Sequence, residues 1–361
     1  MENSTKRLIG IFVPSQRTQR TLELLRTMRL KFNGLRLIKA NGVVGIPLIK
    51  APSAQEQNML ALELGAFDIQ DAVFEISRAK PRTIREAIRE AMPSHLVSQL
   101  PRSFDIVGDI AVIDLPSILE PYSRDIGKSI LQVNPQVRLI LRKSGDVAGV
   151  FRTRGLQPVY GTGGTETVHR EFGCSYLLDV SAVYFNPRLA HERRRIATQV
   201  TRGEVVVDMF AGIGPYSILV AKLEPHSRVY AIDINPTATK YLKENILTNE
   251  VADRVTPLSG DAREFAKSKL HGVADRVIMN LPSEAEHFLD AAVRIIKGNG
   301  GTVHYYQFAP RGTDLASVKQ QFTSSVKAQE WSVESFDYCE AIKEIGPNKV
   351  QVAVDAVIRR I

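Results

Sequence analysis

The chain has 361 residues, 44% of them hydrophobic and 24% charged, with 47 Lys and Arg against 39 Asp and Glu. This length suggests two or three domains, and the composition excludes a largely disordered or a collagen-like protein. No apolar stretch is long enough for a membrane-spanning helix, residues 1–7 are not followed by the apolar segment of a secretory signal, and Cys174 and Cys339 have neither metal-ligand nor disulfide-scaffold spacing. We therefore expect a cytoplasmic protein without a membrane partner.

The N-terminal part of the chain is basic. Residues 1–65 hold ten Lys and Arg against four Glu, a net charge of +6, and such an excess can engage phosphates. The pattern predicts a strand over 8–14, a helix over 17–30 and a hairpin around Asn41-Gly42. Residues 53–65 are predicted to be a linker with some helical character. We expect residues 1–65 to form a small basic module that ends in this linker.

A second unit, residues 66–180, has mixed secondary structure. Residues 80–96 predict an amphipathic basic helix, and the segment after it predicts two strands bent at Gly108. A helix over 121–135 and strands within 137–180, separated by glycine turns, complete an α+β middle domain. The middle domain contains no cofactor motif.

The third unit, residues 181–361, alternates between strands and helices, which predicts βαβ crossovers and a parallel sheet. Two strand-like runs at the end of the chain predict a closing hairpin. A closing hairpin on a parallel sheet is typical of Rossmann-like methyltransferases. The expected fold class is α/β, with a Rossmann-like class I methyltransferase domain preceded by the α+β middle domain and the small basic N-terminal domain.

Three acidic residues follow predicted strands of this sheet. Asp208 begins the run Asp-Met-Phe-Ala-Gly212-Ile-Gly214, in which glycine lets the backbone approach a ligand closely. Asp233, 25 positions later, can accept hydrogen bonds from ribose hydroxyls, and Asp261 can accept one from an adenine amino group. Because position 217 is Ser rather than a third glycine and no Walker lysine follows, the pattern favours S-adenosylmethionine, with NAD as the alternative.

The fourth strand ends in Asn280-Leu-Pro282-Ser283. The aromatic residue that stacks on the base in amino methyltransferases is missing, and no cysteine nucleophile lies nearby, which argues against covalent catalysis. We expect Asn280 to bind a base edge while a nitrogen attacks the methyl group directly.

Tyr184, Arg188 and Glu192 are spaced four apart just before the first strand of the third unit. If a helix begins at Pro187, Arg188 and Glu192 share one face of it. Glu192 is then either half of a surface ion pair or a carboxylate base beside the cofactor.

Five segments in this order resemble one family: VYFNPRLAHERRRI, VVDMFAGIGPYSI, AIDINP, GDAREF and NLP. They are similar to the Trm5-type tRNA guanine-37 N1-methyltransferases of archaea and eukaryotes. The segments FDIVGDIAVIDLP and GVFRTRGLQPVYG resemble the middle domain of that family, and the basic module resembles the N-terminal domain of its archaeal members. The resemblance implies methyl transfer from S-adenosylmethionine to N1 of guanosine 37, by a monomer that contacts the anticodon loop and the tRNA body.

The resemblance also implies roles for single residues. Glu192 would be the general base that takes the N1 proton, and Arg152, with Arg154 as the other candidate, would stabilise the charge that develops on O6. The third catalytic residue implied is Asn280. The residues expected to hold the target guanosine, which must leave its stack, are Tyr184, Arg188 and Pro282. The residues expected to contact the cofactor are Arg193, Asp208, Phe210, Gly212, Gly214, Asp233, Ile234, Asp261, Ala262 and Asn280, and no metal is expected.

Three alternatives remain. The related aminocarboxypropyl transferases of wyosine synthesis are expected to carry a Gly-Asn segment where this chain has Asn186-Pro187-Arg188, which favours methyl transfer. A bifunctional branch that also methylates 4-demethylwyosine stays open. A non-enzymatic RNA-binding protein is disfavoured because the acidic strand tips and Asn280 are all present.

Overall fold

The computed structural model describes residues 5–76, 81–145, 149 and 151–361, which belong to two compact units, residues 1–82 and 83–361. Residues 80 and 150, each part of a predicted element, lie outside the described residues. Within the described part of the chain, no helix is both long and apolar enough to cross a membrane.

The first unit is a four-stranded antiparallel sheet, in the order β2-β3-β1-β4, with two helices. Its elements are β1 (Thr5–Pro14), α1 (Thr18–Thr27), β2 (Ile38–Ala40), β3 (Val43–Pro47), α2 (Ala54–Leu64) and β4 (Asp68–Glu75). Ile11 and Ile46 of the sheet are buried in one cluster with Leu25 and Leu60 of the helices. The structure confirms the hairpin at Asn41-Gly42, where both residues have positive φ (48° and 77°) as a type I′ turn requires.

Residues 53–65 are predicted as a linker with some helical character; the helical character is confirmed, but the segment forms α2 of the first unit rather than a linker. Ser53 caps the helix: its Oγ accepts from the Glu56 N–H (3.4 Å) while the Glu56 carboxylate accepts from the Ser53 N–H (2.7 Å). Leu64 is buried in the core of the unit. The predicted boundary after residue 65 is also corrected, because β4 pairs with β1 along its whole length and so belongs to the first unit.

The middle part of the second unit is a four-stranded sheet, in the order β5-β6-β7-β8, on which α5 packs. Its elements are α3 (Ile84–Ile88), α4 (Ser94–Val97), β5 (Asp105–Val107), β6 (Ile110–Ile113), α5 (Ser123–Val133), β7 (Leu139–Lys143) and β8 (Leu156–Gly161). The single helix predicted over 80–96 is two short helices, because Pro93 interrupts the pattern and stands at the N-cap of α4. Within residues 137–180, where strands separated by glycine turns are predicted, β8 begins at Leu156.

The remaining elements form and flank a seven-stranded sheet in the order β13-β12-β11-β14-β15-β17-β16, whose strands are parallel except for β17, which runs antiparallel to both of its neighbours, β15 and β16. They are β9 (Glu166–Glu171), β10 (Cys174–Asp179), α6 (Ala190–Ala197), β11 (Val205–Asp208), α7 (Pro215–Leu223), β12 (Arg228–Asp233), α8 (Pro236–Thr248), β13 (Val255–Ser259), α9 (Ala262–Lys267), β14 (Arg276–Met279), α10 (Leu289–Ile295), β15 (Gly301–Pro310), α11 (Leu315–Lys327), β16 (Trp331–Gly346) and β17 (Lys349–Arg360). The predicted alternation and closing hairpin are confirmed. The strand order reverses between β11 and β14, and ligands of open α/β sheets bind at the strand ends beside such a point.

The β9–β10 hairpin packs on α8 through β10, while β9 hydrogen-bonds to the turn between β5 and β6 of the middle sheet, where the Asp109 N–H donates to Thr167 Oγ1 (3.2 Å). Asn245 accepts from the Leu177 N–H (2.7 Å) and donates to the Leu177 carbonyl (3.0 Å), and Asn249 makes the same pair of bonds with Ser175 (2.9 and 2.7 Å). The two side-chain amides thus make the hydrogen bonds that a third strand beside β10 would make. The predicted boundary after residue 180 is therefore corrected: the hairpin, placed in the middle domain by sequence, belongs to the core of the large sheet.

Candidate active site

The ends of β11, β12, β13 and β14 surround a cavity of about 590 Å³, which we call the strand-tip cavity. The predicted site residues that line it are Arg152, Tyr184, Arg193, Phe210, Gly212, Asp233, Ile234, Asp261, Ala262, Asn280 and Pro282. Further lining residues that sequence reasoning missed include Phe185, Tyr216, Arg263, Phe288, Phe308 and Gln351. Four predicted site residues are absent from the lining: Arg188, Glu192, Asp208 and Gly214.

The two glycines of the first loop are required for different reasons. At Gly212 (φ 56°) the nearest atom to an added Cβ is the Tyr184 carbonyl oxygen at 3.8 Å, so the backbone borders open space. At Gly214 (φ 91°) an added Cβ would lie 2.4 Å from Leu242 of α8. Gly214 therefore serves the packing of α7 against α8, and the predicted cofactor contact at this residue is corrected.

Asp233 lies at the end of β12 with both carboxylate oxygens held by backbone groups. The Gly212 N–H donates to Oδ2 (2.7 Å) and the Asn235 N–H donates to Oδ1 (2.8 Å). Burial raises the pKa of Asp233, and the two N–H donors oppose this shift. A carboxylate has about four acceptor sites, so about two remain for hydroxyl donors in the cavity.

Asp261 caps α9 and is bound by the residue two positions later. It accepts from the Arg263 N–H (2.9 Å) and from the Arg263 guanidinium (2.5 Å), whose hydrogen bonds lower the pKa of Asp261. The guanidinium lies over the Phe288 ring (4.6 Å), which meets Phe210 edge-on at 5.0 Å. Asp261 therefore stands beside an aromatic wall of the cavity.

Asp208 does not line the cavity. Its side chain is fully buried and accepts from Ser217 Oγ (2.8 Å) and from the Phe210 N–H (3.4 Å). Burial raises its pKa to about 7. The predicted cofactor contact at Asp208 is corrected: the side chain ties the end of β11 to α7. The serine that replaces a third glycine at position 217 is its partner.

The loop after β14 connects the cavity to the middle domain. Gln351 donates to Asn280 Oδ1 (3.3 Å), and the Phe308 N–H donates to the Pro282 carbonyl (3.1 Å). Arg152, in the turn before β8, donates to Ser283 Oγ (2.6 Å). The middle domain thus supplies a guanidinium to the loop at the fourth strand tip.

The predicted pairing of Arg188 with Glu192 is wrong. Residues Pro187–Leu189 form a single 3₁₀ turn and α6 begins at Ala190, so the spacing of four does not place the two side chains on one helix face. Arg188 instead donates to Asp105 of β5 (2.6 Å).

Neighbouring residues of α6 have different surroundings. Arg193, 2% exposed, lines the strand-tip cavity and donates to the Glu171 carboxylate (2.5 and 2.6 Å). Glu192, 7% exposed, does not line it and accepts from Arg195 at both oxygens (2.8 Å each) and from Tyr306 (2.6 Å).

Arg195 joins Glu192 to a second buried carboxylate. It donates to Asp355 of β17 (2.5 Å), which also accepts from His304 Nδ1 (2.7 Å). Burial acts to raise the pKa of Asp355, but the hydrogen bonds from His304 and Arg195 outweigh it and the pKa falls well below its usual range. Asp355 and Arg195 are 160 positions apart, so no local sequence pattern could reveal this network.

A second cavity of about 490 Å³, which we call the basic cavity, shares a wall with the first. The shared residues are Arg152, Tyr184, Phe185, Asn186, Phe308 and Gln351. Its cationic side chains are Lys143, Arg152, Arg154, Arg188, Lys343 and Lys349, and its acidic ones are Asp105 and Glu344. Within the described residues Arg154 Nε is buried without a hydrogen-bond partner, and burial lowers the pKa of Lys343 to about 8. The cationic side chains of this lining outnumber the acidic ones, so the wall of the basic cavity carries an excess of positive charge.

Comparison with known proteins identifies the family to which the chain belongs. A model of the TRM5/TYW2 methyltransferase domain matches residues 167–334, and one of the TYW2 N-terminal domain matches residues 84–165. The tRNA (guanine(37)-N(1))-methyltransferase Trm5b of Pyrococcus abyssi is 45% identical over 289 residues, 80% of this chain and 84% of that protein. The chain belongs to the TRM5/TYW2 methyltransferase family.

Two further comparisons place it within the TRM5/TYW2 family. A tRNA(Phe) (4-demethylwyosine(37)-C(7)) aminocarboxypropyltransferase of Pyrococcus horikoshii is 34% identical over 276 residues, 76% of this chain and 96% of that protein. The solved complex of aTrm5 with tRNALeu has a TM-score of 0.80 and 29% identity, and the match covers 97% of this chain and 99% of that one. The TRM5/TYW2 fold thus extends over nearly the whole chain.

Proposed function

We propose that this member of the family transfers a methyl group from S-adenosylmethionine to N1 of guanosine 37 in tRNA. The observation that carries the proposal is the wall shared by the strand-tip cavity and the basic cavity. A nucleotide can place its base beside the strand tips while its phosphates lie among cations. The relative with 45% identity is named for this reaction, whereas the aminocarboxypropyl transferase is 34% identical.

The lining of the strand-tip cavity fits S-adenosylmethionine. Asp233 has acceptor sites for the ribose hydroxyls, and Asp261 stands beside Phe210 and Phe288, which suit a planar adenine with an exocyclic amino group. When bound, S-adenosylmethionine supplies an electrophilic methyl group. The role of these side chains is to bind and orient, so that the methyl carbon meets the acceptor nitrogen.

The acceptor base is proposed to enter at the shared wall. Asn280 offers an amide to the base edge, and Arg152 stands where it can stabilise charge on O6. Tyr184, 49% exposed, and Pro282 would hold the displaced base. Arg188 lies in the basic cavity and is proposed to contact the nucleotide there.

Methylation of N1 needs a base, because this nitrogen carries a proton at neutral pH. We propose Glu192, the buried carboxylate next to Arg193 on α6. Replacing it by Gln keeps the shape but removes proton affinity, and the single-turnover rate is expected to fall roughly 10²–10⁴-fold. The matched control is Glu204→Gln, since Glu204 also pairs with an arginine (Arg276, 2.8 Å) but stands directly before β11, at the end of that strand remote from the cavity.

The deciding experiment identifies the modified nucleoside. The purified chain is incubated with S-adenosylmethionine and tRNA transcripts carrying guanosine or adenosine at position 37, and the digested nucleosides are analysed by mass spectrometry. N1-methylguanosine from the guanosine transcript alone supports the proposal. An aminocarboxypropyl adduct, or methylation that does not depend on guanosine 37, overturns it. tRNA carrying 4-demethylwyosine tests the bifunctional alternative.

We also propose a cytoplasmic monomer. Residues of one chain line both cavities, and Cys174 and Cys339 are free, buried thiols, which suits a reducing compartment. A mass measurement in solution, with and without tRNA, tests the monomer.

A further inference from the structure

Two tyrosine hydroxyls connect the strand-tip cavity to the Glu192 carboxylate. The Tyr306 hydroxyl donates to Glu192 Oε1 (2.6 Å), and the Tyr216 hydroxyl donates to the Tyr306 oxygen (3.4 Å). Tyr216 lines the cavity, whereas Tyr306 and Glu192 do not. Tyr216 and Tyr306 are 3% and 0% exposed. Both hydrogen bonds run in the direction that would carry a proton from the cavity to the carboxylate.

We propose that Glu192 takes the N1 proton through the hydroxyls of Tyr216 and Tyr306 rather than by touching the base. The proposal rests on the proposed function. The N1 proton passes to the Tyr216 oxygen as the Tyr216 proton passes to Tyr306 and the Tyr306 proton passes to Glu192 Oε1. N1 keeps the electron pair that forms the new bond to the methyl carbon, and the electron pair of the methyl–sulfur bond stays on sulfur.

Tyrosine hydroxyls suit this task because each can accept one proton while it donates another. Burial raises the pKa of Tyr216 and of Tyr306 well above the ordinary value. Neither hydroxyl therefore holds a charge between the acceptor and the base. Both tyrosines are neutral before and after the transfer, and the net change is one proton moved from N1 to Glu192.

The surroundings of Glu192 hold it away from the cavity. Arg195 donates to both of its oxygens, is itself bound by Asp355, and lies over the Tyr338 ring at 3.8 Å. Direct contact with the base would break the Tyr306 bond and a guanidinium bond in a buried site, which is costly. The relay breaks neither. The charged and titratable groups around Glu192 are Arg193 and Arg195 of α6, Tyr216 of α7, His304 and Tyr306 of β15, Tyr338 of β16 and Asp355 of β17.

Phenylalanine variants separate the relay from direct contact. Tyr306→Phe and Tyr216→Phe keep the rings but each removes one hydroxyl from the path. With the relay, each lowers the single-turnover methylation rate by at least about tenfold, part of the 10²–10⁴-fold of general-base catalysis, with unchanged affinity for S-adenosylmethionine and tRNA. With direct contact, Tyr306→Phe leaves the rate unchanged or raises it, because Tyr306 then only holds Glu192 back.

The matched control is Tyr305→Phe. Tyr305 is the preceding residue of β15, is also buried, and packs against Phe322 (5.1 Å) in another cluster of the core. Its variant is expected to keep the wild-type rate. Unfolding midpoints of all variants show whether a lower rate reflects lost stability.

Rates in mixtures of light and heavy water give a second readout that a structural role would not move. When several protons move together, the wild-type rate depends nonlinearly on the deuterium fraction of the solvent. The Tyr306→Phe variant should lose this nonlinearity. The relay is overturned if both phenylalanine variants keep the wild-type rate while Glu192→Gln is slow. It is also overturned if Glu192→Gln is not slow. Wild-type protein that makes no N1-methylguanosine would instead refute the proposed function itself.

Discussion

The strand-tip cavity and the basic cavity share a wall, but they are built in different ways. In the strand-tip cavity, Asp233 and Asp261 accept from backbone N–H groups no more than 21 positions away, so the charges are held by local structure. In the basic cavity the cations come from distant parts of the chain, and Arg154 Nε and Lys343 lack full compensation. The fixed acceptors of the first suit the proposed S-adenosylmethionine, whereas the excess of positive charge in the second suits the phosphates of the proposed tRNA substrate.

The difference implies that cofactor binding and RNA binding can be weakened separately. The strand-tip acids should govern affinity for S-adenosylmethionine, and the lysines should govern affinity for tRNA. Arg152, the cation on the wall that the two cavities share, should govern the chemical step. The following predictions test this separation.

Arg152→Ala is expected to have the largest effect. It removes the donor for the charge on O6, so the single-turnover rate should fall by roughly 10²–10³-fold with little change in cofactor affinity. Arg154→Ala is the matched control, because Arg154 lines only the basic cavity. It should weaken tRNA binding and leave the rate at saturating tRNA almost unchanged. Equal effects of the two variants on the rate would contradict separate roles for Arg152 and Arg154.

Asp233→Ala tests the strand-tip cavity. Loss of hydrogen bonds from the ribose to a carboxylate should weaken S-adenosylmethionine binding by about 1.5–3 kcal/mol, measured by calorimetry, while tRNA affinity is kept. The variant should also be less stable, because the Gly212 and Asn235 N–H groups lose their acceptor. Asp253→Ala, at an exposed ion pair, is the control. Unchanged cofactor affinity would remove Asp233 from the site.

Lys343→Gln tests the basic cavity. One lost phosphate contact should weaken tRNA binding by about 1 kcal/mol and lower the slope of log affinity against log salt by about one. The pKa of Lys343 is lowered to about 8, so its charge is present below that pH and is lost as the pH rises through it. Wild-type affinity should therefore fall between pH 7 and pH 9, and the variant should lack this part of the decline. Lys327→Gln, an exposed lysine of α11, should behave as wild type.

Asp208→Asn should have the smallest effect on binding and catalysis, because its expected effect is on stability. The folded-state pKa of Asp208 is raised to about 7, so the stability it contributes is complete below its unfolded pKa and is lost as the pH rises through 7. Relative to wild type, the variant should gain at least about 1 kcal/mol between pH 5 and pH 8, measured by denaturant unfolding. A difference that does not vary with pH would contradict the buried position of this carboxyl group.

Much of the strand-tip cavity could be predicted from sequence, because Asp233, Asp261 and Asn280 each follow a strand of a parallel sheet and the strand ends meet at one edge. The alternation of strands and helices predicted the large parallel sheet, because βαβ crossovers join parallel strands. The resemblance supplied the roles of Glu192 and Arg152, which spacing alone does not indicate.

Other features depend on tertiary structure that spacing does not encode. Arg188 and Glu192 are four apart, but the helix begins between them, so each binds another partner. The bond between Arg195 and Asp355 joins residues 160 positions apart. Spacing does not reveal the basic cavity either, because its lysines belong to separate segments of the chain. Ser217, which stands where a third glycine is absent, donates to the buried Asp208 carboxylate, a contact that the loop sequence does not indicate.

The asparagines of α8 have a consequence for behaviour in concentrated solution. An unpaired strand edge can recruit a strand from another molecule, which is a common route to aggregation. The outer edge of β10 offers no such template at Ser175 and Leu177, because the Asn249 and Asn245 amides already occupy the N–H and carbonyl groups of both residues. A helix thus closes a two-stranded sheet with side chains, and the hairpin is protected against intermolecular pairing along this edge.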